Sequence, residues 1–197
     1  MKKLTVSCIL LVLMSAGAVN AAVTLTFDEL PTQPVNGVSY MGVTFSFRVG
    51  GILSADAVYN GIGPGTLTYL QDPTLEGTTA GILTLDFAAP TDTLEFGVAL
   101  NSYYSVSQAY VVRLYDSSYS VIGTYYENTS PLVLWSEGKF TYNGAMVSRA
   151  VIGFNEQAAS RFALDNLTIN PIPAPGAVFL GGFGLGLVNW LRRRRTL

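Results

Sequence analysis

The chain contains no histidine and only one cysteine, Cys8, among its 197 residues. Without histidine the protein lacks the commonest metal ligand and the usual general base. Ser-His-Asp and Cys-His catalysis and zinc sites with histidine ligands are therefore excluded. Charged residues are also scarce, at 12% of the chain, whereas hydrophobic residues make up 49%. This composition excludes a disordered acidic or basic protein.

Basic residues are rare between the two ends of the chain. Two lysines near the start and four arginines near the end account for six of the eleven basic residues, and all thirteen acidic residues lie between them. Binding to nucleic acid requires clustered positive charge that displaces counterions from phosphates. The sequence therefore excludes nucleic acid as a partner.

Residues 1–21 have the composition of a secretory signal peptide. Lys2 and Lys3 precede a mostly apolar run from Leu4 to Met14, and small residues follow. We expect the export machinery to translocate the chain and signal peptidase to cut after Ala21, with residues 16–18 as a second candidate. An uncleaved anchor is the alternative, although the apolar run is shorter than the ~20 residues that a span needs. Cleavage would remove the only thiol, so burial alone would hold the exported domain together.

Residues 172–197 form a second distinct segment. A short proline motif precedes sixteen mostly apolar residues, and an arginine cluster follows them; the motif is Pro173, Ala174 and Pro175 and the cluster is Arg192, Arg193, Arg194 and Arg195. As a helix the apolar run would be about 24 Å long, a little short of a ~30 Å hydrocarbon core, and snorkelling arginines and local thinning can cover the difference. We predict a transmembrane helix with cytoplasmic arginines. A buried core helix is the alternative.

This tail resembles the C-terminal sorting signal of PEP-CTERM proteins, which has a proline motif, a transmembrane helix and an arginine-rich end. The resemblance implies that an exosortase cuts the tail near the proline motif. The protein would then occupy the inner membrane transiently before it reaches the cell surface or the extracellular matrix. Alanine stands at position 174 where the family has its name-giving glutamate, which leaves open the exosortase subtype.

Residues 22–171 have the size of one domain, and alternation of apolar and polar residues is their dominant pattern. It predicts an all-β fold of about ten short strands in two antiparallel sheets, a jelly-roll-like sandwich. The predicted strands include 23–27, 43–49, 83–87, 94–100, 110–115, 121–126, 132–135, 139–142, 150–154 and 162–169. We expect a hairpin through 88–92, a type I′ turn at Asn143-Gly144 and a bulge near Asp165-Asn166.

Both ends of this domain carry acidic residues next to apolar strand residues. The segments Thr26 to Leu30 and Ala163 to Leu167 are similar to the two ends of many secreted carbohydrate-binding-module-like jelly rolls. In several such families the first and last strands meet and hold a structural calcium. The similarity implies a calcium site at Asp28, Glu29 and Asp165. These side chains offer only oxygen ligands, which are the ligands that calcium takes. Ordinary strand-end carboxylates that accept backbone hydrogen bonds are the alternative, and no other cofactor is expected.

Aromatic residues suggest a surface for sugars. In an extended backbone one ring of the pair Tyr103-Tyr104 and one of Tyr125-Tyr126 must face outward. Exposed flat rings stack on the apolar faces of sugars, and nearby Asn and Gln side chains bind their hydroxyl groups. We expect Tyr104, Tyr126 and Trp135 to form such a platform, with core packing of these rings as the alternative.

Taken together, these features predict an exported, non-catalytic surface or matrix protein that associates with exopolysaccharide. A purely structural or adhesive surface protein without a sugar site is the first alternative. A glycan hydrolase that uses two carboxylates is the second. Among thirteen acidic residues some pair is inevitable by chance, so Glu127, Glu137 and Glu156 are weak catalytic candidates.

Overall fold

The computed structural model describes residues 22–171, which contain twelve β-strands and no helix. In this part of the chain there is accordingly no helix long and apolar enough to cross a membrane. The predicted signal peptide and sorting tail lie outside the described residues. The strands are β1 (Val23–Leu25), β2 (Gln33–Pro34), β3 (Ser39–Tyr40), β4 (Val43–Val49), β5 (Ile52–Leu53), β6 (Val58–Gly61), β7 (Thr74–Thr78), β8 (Gly81–Leu100), β9 (Val106–Tyr115), β10 (Val121–Leu132), β11 (Trp135–Phe154) and β12 (Arg161–Pro171).

Hydrogen bonds connect all twelve strands, and every pairing is antiparallel, but the strands form two layers. Residues 81–87 of β8 pair with β4 and with 149–153 of β11, whereas residues 91–100 pair with β12 and with 136–143 of β11. Sheet I therefore has the order β10-β9-β11-β8-β4, with β3 and β5 beside β4. In sheet II, β12 lies between β8 and the strands β7 and β1, and β6 and β2 follow β7. The all-β antiparallel sandwich predicted from the alternation is confirmed for the described residues.

The long strands β8 and β11 bend together from one sheet into the other. Their register is interrupted between Asn143 and Val147, which pair with Thr93 and Thr91. Thr91 is buried at the bend, and its hydroxyl donates to the carbonyl of Thr93 and accepts the N–H of Asn170 on β12. The predicted hairpin through 88–92 is therefore wrong, because the chain continues across the corner instead of reversing.

Two further predictions are wrong, one of a turn and one of a strand. Asn143 and Gly144 lie inside β11 and neither has the positive φ that a type I′ turn requires. Residues 132–135, predicted as a strand, contain the actual reversal: Leu132 pairs with Trp135, and Val133 and Leu134 connect β10 to β11. Val133 has a φ of 42° and is 92% exposed. Its apolar, β-branched side chain is typical of a strand, and this is why the pattern was misleading.

The core lies between the inward faces of the two sheets. Burial alternates along β4, where Val43, Phe45 and Phe47 are inaccessible to solvent. Across the sandwich Phe47 packs against Phe162 of β12, with ring centroids 5.9 Å apart. A fully buried Phe side chain contributes roughly 2–3 kcal/mol. The compact unit Ala22–Ile172 thus has its own hydrophobic core.

The first and last strands are neighbours, as the calcium prediction requires. Leu25 of β1 pairs with Leu167 of β12, and Val23 pairs with Ile169. The predicted bulge near Asp165-Asn166 is confirmed, since the register of β12 against β8 shifts between Asp165 and Thr168. The extra residue lets both Leu164 and Leu167 face the core.

Candidate functional site

A row of apolar residues crosses the outer face of sheet I. Tyr126 of β10 lies opposite Val111 of β9, Val111 opposite Gly153 of β11, and Gly153 opposite Ile82 of β8. We call these four residues the Tyr126 strip. The Tyr126 side chain is 59% exposed and Ile82 49% exposed. With strands about 4.8 Å apart, the strip is roughly 14 Å long.

The neighbouring row on the same face is mostly polar, which makes the strip distinct. Moving two residues along each strand gives Thr124, Arg113, Val151 and Thr84. The strip is therefore an exposed apolar line on an otherwise polar surface. Gly153 has no side chain, and a Cβ built there would lie 3.4 Å from a methyl group of Val111.

Carboxamide groups flank one end of the strip. Tyr126, Val111 and Gly153 line a cleft of about 330 Å³ together with Gln108 and Asn155. Gln108 occupies a bulge of β9, with a φ of 48°, and its N–H donates to the Asn128 side chain at 2.9 Å. Tight anchoring of the backbone leaves the Gln108 carboxamide at the surface, with no hydrogen bond to any described residue.

The other two predicted platform residues lie elsewhere. Tyr104 is 77% exposed in the loop between β8 and β9, and its neighbour Tyr103 is exposed as well. Trp135 is partly buried against a small cluster of Leu70, Ala99 and Ala163. It lines a different, apolar pocket beside Val133 and Leu134. The structure thus brings neither Tyr104 nor Trp135 to the cleft beside the Tyr126 strip, and their binding roles stay predictions.

The paired tyrosines follow the alternation rule only where the backbone is a strand. Tyr125 packs in the core against Phe140, with centroids 5.6 Å apart, and Tyr126 points to solvent. Tyr103 and Tyr104 lie in a loop, where the condition of an extended backbone is not met, and both rings are exposed.

A loop across the outer face of sheet II is held by a buried carboxylate. Glu137 of β11 is only 5% exposed and accepts the backbone N–H groups of Thr68, Tyr69 and Leu70 at 3.1, 2.5 and 3.1 Å. Three such donors satisfy a charge that would otherwise be costly to bury. Glu137 therefore anchors a loop, which weakens its candidacy as a catalytic acid.

The proposed calcium ligands are engaged with protein donors. Both oxygens of Glu29 are used, by the N–H of Thr26 at 2.7 Å and the hydroxyl of Tyr59 at 2.6 Å. Asp165 accepts the N–H groups of Gln71 and Asn166 at 2.8 and 2.6 Å. These contacts are those of strand-end carboxylates that accept hydrogen bonds.

Asp28 and Asp165 nevertheless line one cavity of about 190 Å³ together with Asp72. One oxygen of Asp72 is buried and has no hydrogen-bond partner. Burial, helped by the nearby charges of Glu29 and Asp28, raises the pKa of Asp165 to about 6 against the effect of its two backbone hydrogen bonds. Even so, no three Asp, Glu, His or Cys side chains within residues 22–171 are grouped as a metal centre. The trio named from the sequence does not fit calcium as a complete ligand set.

Several residues of these surfaces escaped the sequence analysis. Ile82, Gln108 and Asn155 become neighbours of Tyr126 only through strand pairing across sheet I. Glu137 was named only as a weak catalytic candidate, and its role as a loop anchor was missed because its loop partners lie about seventy residues earlier.

No family model and no curated protein matches the chain. Among solved structures it is similar to the K2 cleaved adhesin domain of Lys-gingipain (Kgp), with a TM-score of 0.43 and 11% identity over 76% of this chain and 99% of that one. A family 29 carbohydrate binding module from Piromyces equi, CBM29_1, gives 0.40 and 9% over 76% and 90%. The CBM22-1-CBM22-2 tandem domain from Paenibacillus barcinonensis Xyn10C gives 0.40 and 13% over 81% and 47%. These similarities are distant, since all three TM-scores are below 0.5.

Proposed function

We propose that residues 22–171 are an exported, non-catalytic, jelly-roll-like domain that binds exopolysaccharide along the Tyr126 strip. The observation that carries this proposal is the apolar row from Tyr126 through Gly153 to Ile82, which is exposed at both ends and has the Gln108 carboxamide at its edge. A sugar ring presents an apolar C–H face and a rim of hydroxyl groups. Aromatic and aliphatic side chains pack on the apolar face. Carboxamide groups donate hydrogen bonds to the hydroxyl groups and accept hydrogen bonds from them.

The shape of the strip suits an extended polymer rather than a small ligand. Small-molecule sites are enclosed, whereas the Tyr126 strip is open and spans four strands. Several sugar units could contact it in sequence, each contributing modestly.

For the destination of the domain we propose export followed by exosortase sorting. The support comes from residues 1–21 and 172–197 of the sequence, in particular the proline motif and the four terminal arginines. Processing near Pro173 would release the domain to the cell surface or the extracellular matrix.

A structural or adhesive role without a sugar site is the second candidate. It is favoured by an exposed apolar pole at the β10–β11 connection, where Val133 is 92% and Leu134 57% exposed, next to Trp135. Exposed apolar patches of this kind commonly mark contact surfaces.

Affinity electrophoresis in gels containing exopolysaccharide from the producing organism tests the proposal. Tyr126→Ala should restore part of the mobility, because it removes the main stacking surface of the strip and weakens binding there about tenfold. Tyr103→Ala, which removes an equally exposed ring outside the cleft, is the matched control and should migrate like the wild type. Equal retardation of wild type and Tyr126→Ala would reject the strip as the binding site.

Structural calcium at Asp28, Glu29 and Asp165 stays a prediction. A cation bound only to the folded domain raises its melting temperature by mass action. Thermal unfolding in excess calcium and in EDTA therefore decides the question, and an unchanged melting temperature would remove the prediction.

A further inference from the structure

A second cleft lies on the outer face of sheet II. It has a volume of about 310 Å³ and is lined by Thr24, Tyr69, Glu95, Lys139, Asn166 and Thr168. We call it the Tyr69 groove. The Tyr69 side chain is 41% exposed, so part of its ring is available to a ligand.

Tyr69 is held in place from three sides. Its N–H donates to Glu137 at 2.5 Å, and its carbonyl accepts from the Asn166 side chain at 2.9 Å. Its backbone also lies against Gly97, where an added Cβ would be 2.6 Å from the Tyr69 carbonyl oxygen. Glycine inside a strand is unfavourable and commonly marks a place where another backbone approaches closely. The ring is therefore presented on a fixed backbone, which lowers the entropy lost when a ligand binds.

Charged groups beside the ring offer hydrogen bonds of both kinds. Lys139 and Glu95 form an ion pair at 2.6 Å, and both side chains are more than one-third exposed. The Lys139 ammonium lies 5.9 Å from the centre of the Tyr69 ring. An ammonium donates and a carboxylate accepts, so together with Asn166 they can bind the hydroxyl groups of a sugar whose apolar face covers Tyr69.

The two clefts face opposite directions. Tyr126 points away from the core on sheet I, and Tyr69 lies over Gly97 on the outer face of sheet II, with the buried core between the sheets. Sandwiched sheets are about 10 Å apart, so a straight polymer chain cannot contact both outer faces. Two sites placed in this way engage two different chains.

We propose that the Tyr69 groove is a second saccharide-binding site and that the domain is bivalent, cross-linking exopolysaccharide chains. This inference rests on the proposed function and deepens it, since it turns a binding module into a matrix cross-linker. Each site contributes separately, so loss of either one leaves binding but removes cross-linking.

Calorimetry with a purified hexasaccharide fraction of the exopolysaccharide tests the stoichiometry on residues 22–171. We expect two ligands per wild-type domain, one for Tyr69→Leu, one for Tyr126→Ala and none for the double variant. Tyr69→Leu keeps an apolar side chain but removes the flat ring. Lys139→Met removes a hydrogen-bond donor beside the ring but none of the hydrogen bonds that hold the loop, and it should weaken the same site. Circular dichroism checks that each variant is folded, and Tyr103→Ala should keep both sites.

Light scattering with the intact polysaccharide tests cross-linking. Wild type should form complexes that grow with protein concentration, and each single-site variant should bind but form no growing complexes. One ligand per wild-type domain, lost with Tyr126→Ala and unaffected by Tyr69→Leu, would overturn the second site and leave the proposed function intact. One ligand lost only with Tyr69→Leu would overturn both bivalency and the Tyr126 strip, and no binding by wild type would overturn the proposed function itself.

Discussion

Tyr69 lies so close to Gly97 that no side chain fits between them. A Cβ at position 97 would be 2.6 Å from the Tyr69 carbonyl oxygen and 2.9 Å from its Cβ. The strand β8 thus has no side chain at position 97, near its C-terminal end, where the loop lies against sheet II. The position of one aromatic ring on the surface depends on one missing methyl group in the strand beneath it.

Gly97→Ala should displace the loop. The clash involves backbone atoms, so we expect a loss of about 1–3 kcal/mol in the free energy of unfolding, measured by urea denaturation. Gly153→Ala is the matched control, because a Cβ there meets only Val111, at 3.4 Å. A Gly97→Ala domain as stable as the control would show that the loop does not rest on the strand as described.

Glu137→Gln should destabilise the same loop by a different route. Glutamine has one acceptor oxygen, and its NH₂ group would face a backbone N–H of residues 68–70. We expect a loss of about 2–3 kcal/mol in the free energy of unfolding. Glu95→Gln, which breaks only the part-exposed ion pair with Lys139, should cost less than about 1 kcal/mol. Similar small losses for both variants would contradict an anchoring role for Glu137.

The acidity of Asp165 predicts a dependence of stability on pH. Burial raises its pKa from the ordinary 3.8 to about 6, so between these values the folded state binds the proton more tightly than the unfolded state. The contribution of Asp165 to the free energy of unfolding is therefore greatest below pH 4 and falls as the pH rises toward 6.

Asp165→Asn supplies the comparison, in buffers that contain EDTA. From pH 4 to pH 7, the unfolding free energy of the wild type minus that of the variant should fall by about 2–3 kcal/mol. A difference that stays constant over this range would mean that Asp165 titrates as an ordinary surface carboxylate.

How much of this structure could be predicted from the sequence depends on how far apart along the chain the interacting residues lie. Alternation in 43–49 and 110–115 is local and predicted strands that the structure contains, and the parity change around Asp165 predicted a real bulge. The corner shared by β8 and β11 was misread, because an Asn-Gly dipeptide is also compatible with a bulge when strands on both sides continue the pairing.

The candidate sites show the same limit more strongly. Tyr126 was predicted because two adjacent residues of an extended strand face opposite sides, and Tyr125 is the ring that packs against the core. Ile82 and Gly153 join it through cross-strand register, and Tyr69 depends on Glu137 and Asn166, which are far away along the chain. Pairings of this kind leave no periodic signal in the sequence.

Export and sorting predict the mass of the mature protein. The surface product should begin near Ala22 and end near Pro173, as measured by intact mass spectrometry of material released from cells. Retention of Arg192–Arg195 in that product would show that the tail is a permanent anchor.

Nuclear magnetic resonance of residues 22–171 tests the central claim, polysaccharide binding along the Tyr126 strip, most directly. On titration with the hexasaccharide fraction, the side-chain amides of Gln108 and Asn155 and the backbone amides around Tyr126 and Gly153 should shift together and saturate. The backbone amide signals of residues whose side chains lie in the core should not shift. If these groups do not shift, sugar binding along the Tyr126 strip is contradicted. If no group shifts at all, the result favours a structural surface protein.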